Sequence, residues 1–194
     1  MLHQILKQAL FISGITLPLW LVFRIVVNSY KKRQGTGLLW GQELKQFVLY
    51  VYIICVLMIT VMPLPMTRHH GPKRGHINIL PIANTAKQFN AVLARGTHGM
   101  MVHALENIVG NVILFLPLGI CLPMLWPQYF NFKRVLLTAF LFSLTIELTQ
   151  LFSRQFGIYR SVDVDDVILN TCGAILGFAT IGRLFRQKRV LNQV

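Results

Sequence analysis

Five stretches of this chain run for eighteen to twenty residues with almost no charge: 9–27 ("ALFISGITLPLWLVFRIVV"), 47–66 ("FVLYVYIICVLMITVMPLPM"), 108–126 ("IVGNVILFLPLGICLPMLW"), 135–152 ("VLLTAFLFSLTIELTQLF") and 167–185 ("VILNTCGAILGFATIGRLF"). A helix needs about 20 mostly apolar residues to cross a hydrocarbon core of about 30 Å. No backbone other than a helix or a closed barrel satisfies its own hydrogen bonds there. The expected fold is therefore all-α: a polytopic membrane helix bundle of about five transmembrane helices, with residues 1–194 forming a single membrane domain. Composition agrees, at 54% hydrophobic and 13% charged residues with a mean hydropathy of +0.56. The first run continues past Arg24 into "NSYKKRQG" without an A-x-A-like site, so it reads as a retained helix rather than a cleaved signal. Arg24 lies near one end of its span, where its side chain can reach the interface.

A net charge of +13 would point to nucleic acid in a soluble protein, but in a polytopic one it places basic loops against anionic lipid. The aromatic residues lie in the spans, away from the basic clusters, so no base-stacking platform is visible and no nucleic-acid partner is expected. Membrane lipids are the expected partners. Cys55, Cys121 and Cys172 fall inside the spans with no C-x-x-C spacing, which reads as packing rather than a disulfide framework. His69, His70 and His76 have no carboxylate nearby in sequence, so they read as a solvated basic turn.

Five spans put the termini on opposite sides. One side collects ten Lys and Arg residues, from Lys31, Lys32, Arg33, Lys45, Lys133 and Arg134 to the C-terminal group. The other collects eight, five of them spread along the loop 67–106, and it also holds Glu106 and the three aspartates. The bias places the C-terminus in the cytoplasm and the N-terminus outside. Within the long loop, Phe89, Val92 and Leu93 recur at helical spacing after a cap at Asn84 or Thr85, predicting a short interfacial helix.

The chain has six acidic residues, and three of them, Asp163, Asp165 and Asp166, fall within four positions at the head of the fifth span. With alternating helix directions, the start of span three, the end of span four and the start of span five approach one membrane face. Asn107 and Asn111 are four apart. Ser143, Glu147, Gln150 and Arg154 follow at four, three and four, and Asp163, Asp166 and Asn170 at three and four, so each set shares a helix face. A charge at the centre of a spanning helix costs about 2.5–3.5 kcal/mol, so Glu147 is expected to face the bundle interior or a wet cavity. One reading makes these groups structural: Glu147 paired with Arg154 or Arg160, the asparagines bonded across helices, and the aspartates capping span five. The other makes them an outward polar pocket, with Asn107, Asn111, Glu147, Gln150, Arg160, Asp163, Asp165, Asp166 and Asn170 as ligand-binding residues. Gly173 and Gly177, four apart, allow span five to approach a neighbour closely.

"DVDD" is not an EF-hand loop, since Ile168 stands where the turn glycine is needed and Ala174 where the bidentate acid is needed. Neither a metal nor a cofactor is expected. No serine, histidine and acid spacing names a nucleophile.

The blocks "INILPI", "NIVGNVILFLPLG", "TIELTQ" and "RSVDVDDVILNTCGAILG", in this order over residues 75–182, resemble the VanZ-like family of bacterial membrane proteins. The family pattern carries over to Asn78 and Pro81, to Asn107, Gly110, Asn111, Phe115, Pro117 and Gly119, to Glu147 and Gln150, and to Arg160, Asp163, Asp165, Asp166, Asn170, Gly173 and Gly177. The basic stretch before "INILPI" and the C-terminal tail are individual to this chain. The resemblance implies a multi-pass protein of the bacterial cell membrane acting on the cell envelope, and the family's namesake is associated with resistance to teicoplanin. The partner it suggests is a lipoglycopeptide antibiotic or a cell-wall lipid precursor, held in the pocket without catalysis. The competing expectation is an intramembrane enzyme acting on a phospholipid or polyprenyl phosphate, with Glu147, Asp163 or Asp166 as the catalytic acid or base. Transport ranks behind both, because paired discontinuous helices are not evident.

Overall fold

A computed structural model describes residues 2–35, 39–61, 77–95, 98–156 and 161–191. The histidines at 69, 70 and 76, and Arg160, lie outside the described residues. The fold is all-α, with five helices long and apolar enough to cross a membrane, and the chain separates into two compact units, Met1–Pro63 and Leu64–Val194.

The first unit is a pair of helices, α1 (Leu2–Arg33) and α2 (Trp40–Thr60). Their apolar side chains are mostly exposed, as expected of a lipid-facing surface. What joins them is polar and aromatic. Arg24 is 8% exposed and grips Glu43 with two hydrogen bonds, Nε to Oε2 at 3.0 Å and Nη2 to Oε1 at 2.5 Å. Asn28 accepts a further bond from the same guanidinium at 3.4 Å. The ion pair to Glu43 adds a partner that the sequence reading of Arg24 did not name. Because α2 begins seven residues earlier than its apolar run, it carries Glu43 on its first turn, within hydrogen-bond reach of Arg24. A hydrogen bond joins Thr16 to Tyr50 at 2.8 Å, and Trp20 packs on Phe47 and Tyr50 with ring centroids 5.5 and 5.1 Å apart.

The second unit contains β1 (Ile77–Asn78), α3 (Ala83–Arg95), α4 (His98–Leu125), α5 (Phe132–Ser153), β2 (Val162–Asp163) and α6 (Val164–Leu191). Helix α4 starts ten residues before the expected span and α6 three before, so the end of the long loop is already helical and "DVDD" forms the head of α6 rather than a lead-in. Asn131 caps α5 by accepting the Lys133 N–H at 2.9 Å.

Helices α4 and α6 run parallel in backbone contact. A Cβ added at Gly173 would overlap the Val112 carbonyl, one at Gly177 the Leu116 carbonyl, and one at Gly119 the Ala174 carbonyl. Only the missing side chains permit this approach, as in small-residue seams between membrane helices. Helix α5 runs antiparallel to α6, and Phe115 of α4, fully buried, meets Phe142 of α5 with ring centroids 5.4 Å apart. The close α4–α6 seam sets the register that brings the polar residues of both helices to one level.

Candidate functional site

The three aspartates of "DVDD" point to three different partners, because residues one apart on a helix diverge by about 100° and Asp163 stands just outside it. Asp163 is 3% exposed and caps α6, accepting the Asp165 N–H at 3.0 Å on the same Oδ1 that accepts from the Asn78 side chain at 2.9 Å. Its own N–H is donated to Glu147 Oε2 at 3.0 Å. Glu147, 6% exposed, thus faces the bundle interior as its helical spacing required, and it holds β2 by the backbone.

Asp165, also 3% exposed, turns toward the long loop. Its carboxylate accepts the N–H of Ile82, and the N–H and hydroxyl of Thr85 at 2.9 and 2.8 Å. It therefore caps the N-terminus of α3 from a position eighty residues away in sequence. That corrects the expectation of a local cap. Thr85 lies inside the first turn and is a donor to the cap rather than the cap itself. The strands β1 and β2 pair in parallel, Ile77 opposite Val162 and Asn78 opposite Asp163, so the "INILPI" segment is strapped to the head of α6.

Asp166 turns toward α4 and is half-buried. It accepts the Asn111 amide at 2.7 Å, and Asn111 in turn reaches Asn107 Oδ1 at 3.4 Å. Among the described residues its second carboxylate oxygen has no partner. One turn deeper, Asn170 donates to Ser143 of α5 at 2.8 Å, and its Oδ1 is buried with no partner among the described residues. Gln150 is buried at 7% exposure on the same α5 face as Glu147.

The structure thus brings Asn107, Asn111, Glu147, Gln150, Asp163, Asp166 and Asn170 to one end of the α4–α5–α6 group. Asp165 shares that level but serves the strap. The asparagine bonds across helices and the cap on α6 are those of the structural reading. Of the two partners expected for Glu147, Arg154 and Arg160, the second lies outside the described residues. Sequence reasoning missed the strap and the clasp between Arg24 and Glu43. The lone Asn78 within an apolar hexapeptide signalled the first, and Glu43 ahead of the second apolar run signalled the other. Among the described residues no three His, Cys, Asp or Glu side chains group to hold a metal ion.

The VanZ/LLP1 family model matches residues 47–186, from within α2 into α6. The chain belongs to the VanZ/LLP1 family. The matched range contains every residue of the site and of the strap, and leaves α1 outside. No curated protein and no solved structure compared with the chain matches it. Membership of the VanZ/LLP1 family and five span-length helices together make this a membrane protein of VanZ type.

Proposed function

We propose that the protein acts on the bacterial cell envelope by binding an amphiphile at the α4–α6 site, and that it confers low-level resistance to lipoglycopeptide antibiotics such as teicoplanin. The observation that supports this is the Asp166 carboxylate, half-buried beside the Asn111 amide and with one oxygen open among the described residues. The other acids of the site are engaged: Glu147 with backbone, Asp163 and Asp165 with backbone and side chains. A carboxylate flanked by amides, with one lone-pair edge to spare, selects ligands that present N–H or O–H donors. Peptide amides, amines and sugar hydroxyls are such donors, and an acyl chain suits the apolar surround of the spans. With the N-terminus outside and the C-terminus in the cytoplasm, this end of the bundle faces outward, where such ligands arrive.

The test is expression in a susceptible bacterium. The wild-type protein is expected to raise the inhibitory concentration of teicoplanin several-fold, with a smaller effect on a glycopeptide that lacks the acyl chain. Asp166→Asn and Glu147→Gln are expected to abolish the gain at unchanged protein level, and resistance that survives both substitutions would make the cluster purely structural. The same open oxygen favours a second reading, an intramembrane enzyme using Asp166 as general acid or base on a phospholipid or polyprenyl phosphate. A lipid that accumulates only with the unsubstituted protein would decide for it. Orientation is checked with Asn90→Cys in a chain whose native cysteines are replaced. Labelling of intact cells by an impermeant thiol reagent supports the proposed topology, and protection reverses it.

A further inference from the structure

The turn between β1 and α3 is apolar and turned outward. Ile79 is 74% exposed, Leu80 69% and Ile82 64%, and on α3 Phe89 and Leu93, four apart on one face, are 62% and 71% exposed. Ile82 has φ +66°, a left-handed conformation that a β-branched residue rarely adopts and that glycine or asparagine would take at little cost. It persists because the Asp165 carboxylate holds its N–H, with Thr85 bound to the same carboxylate. The chain therefore spends a buried carboxylate to hold a strained isoleucine whose side chain is mostly exposed. In water that arrangement would be unfavourable twice over, through backbone strain and apolar exposure.

The level of this turn in the molecule resolves the contradiction. Asn78 is bonded to Asp163 and Thr85 to Asp165, and the fifth apolar span begins at Val164. The turn is thus pinned at the level of the N-terminal end of that span, with its apolar side chains exposed there. We propose that residues 77–95 form a strap seated in the membrane, with the Ile79–Ile82 turn and the Phe89/Leu93 face of α3 in contact with the acyl chains of the leaflet in which α6 begins. Asp163 and Asp165 act as positioning residues for that contact. The inference is independent of which ligand the neighbouring site takes.

The test uses the full chain in phospholipid bilayers with Cys55, Cys121 and Cys172 replaced by alanine and single spin-labelled cysteines at Leu80, Phe89, Leu93 and Asn90. Collisions with oxygen, which concentrates in the acyl region, are compared with collisions with a water-soluble nickel chelate. The expected result is an oxygen-to-nickel ratio several-fold higher at Leu80, Phe89 and Leu93 than at Asn90. Equal ratios, or a nickel preference at Leu80 and Phe89, would overturn the proposal. A second measurement needs no substitution: a bilayer-partitioned carbene precursor is photolysed with the wild-type protein and the labelled peptides are mapped. Label in 77–95 as well as in the spans supports the strap, and label confined to the spans overturns it.

Discussion

The two units hold their acids with different sets of donors among the described residues. In the first, Glu43 meets Arg24 directly, one negative charge against one positive, and the pair closes on itself with Asn28 at its edge. In the second, the donors to Glu147, Asp163, Asp165 and Asp166 include backbone N–H groups, a threonine hydroxyl and amides. An ion pair extinguishes the charge it contains, so the first arrangement is a clasp. Dipolar donors orient a carboxylate without cancelling its charge, and among the described residues Asp166 has one hydrogen-bond donor, the Asn111 amide. The comparison teaches that burial of a charge in this protein does not by itself mark a site. What surrounds the charge does.

The comparison breaks first at the clasp. Glu43→Leu leaves the guanidinium of Arg24 between two helices without its counter-ion and is expected to destabilise the first unit by about 3–5 kcal/mol, while the double change Arg24→Met with Glu43→Leu recovers most of that loss. A double-mutant cycle on unfolding in lipid micelles measures it, and equal losses in the single and double variants would mean that the pair is no clasp. Next in size is the α4–α6 seam. Gly173→Val forces the backbones apart, with an expected loss of about 2–3 kcal/mol. Gly14→Ala in α1, where nothing lies within 4 Å of the added carbon, stays within about 0.5 kcal/mol when both variants are unfolded in lipid micelles.

Smaller again is the trans cap. Asp165→Asn keeps the shape but weakens the charge-assisted bonds to Ile82 and Thr85, at a cost of about 1–2 kcal/mol. The loss is expected as faster amide hydrogen exchange in 77–95 with the spans unchanged. Exchange that rises evenly through the whole unit would place Asp165 in the core instead of the strap. Smallest in stability is Asp166→Asn, which retains an acceptor for Asn111 and is expected to shift unfolding by less than about 1 kcal/mol. If it unfolds the protein as readily as Glu43→Leu does, the contrast between the units disappears.

The polar convergence was legible because helical spacing and alternating span direction are local and geometric rules. Asn111 near Asp166, and Ser143 near Asn170, follow from counting turns. Helix starts were displaced for an equally local reason: hydropathy marks where a helix enters hydrocarbon, not where it begins. Trp40–Lys45 and His98–Glu106 are helical yet lie outside the apolar runs 47–66 and 108–126 read from the sequence. Both the cap of α3 by Asp165 and the link from Asn78 to Asp163 join residues eighty or more positions apart, and neither leaves a periodic trace. The opposite destinations of Asp165 and Asp166 were hidden as well, since three acids in four positions read as one cluster until the helix start is known to the residue.

Sequence alone determined the all-α class, the five crossings, the face on which acids and amides gather, and the glycines that let α4 and α6 touch, because apolar length and 3.6-residue periodicity are properties of a single segment. Tertiary structure decided which acid caps a helix, which holds a strand, which meets the Asn111 amide, and that Arg24 is clasped. Those outcomes depend on which donor from a distant segment reaches each carboxylate first, and a donor's position in space is a property of the packed chain.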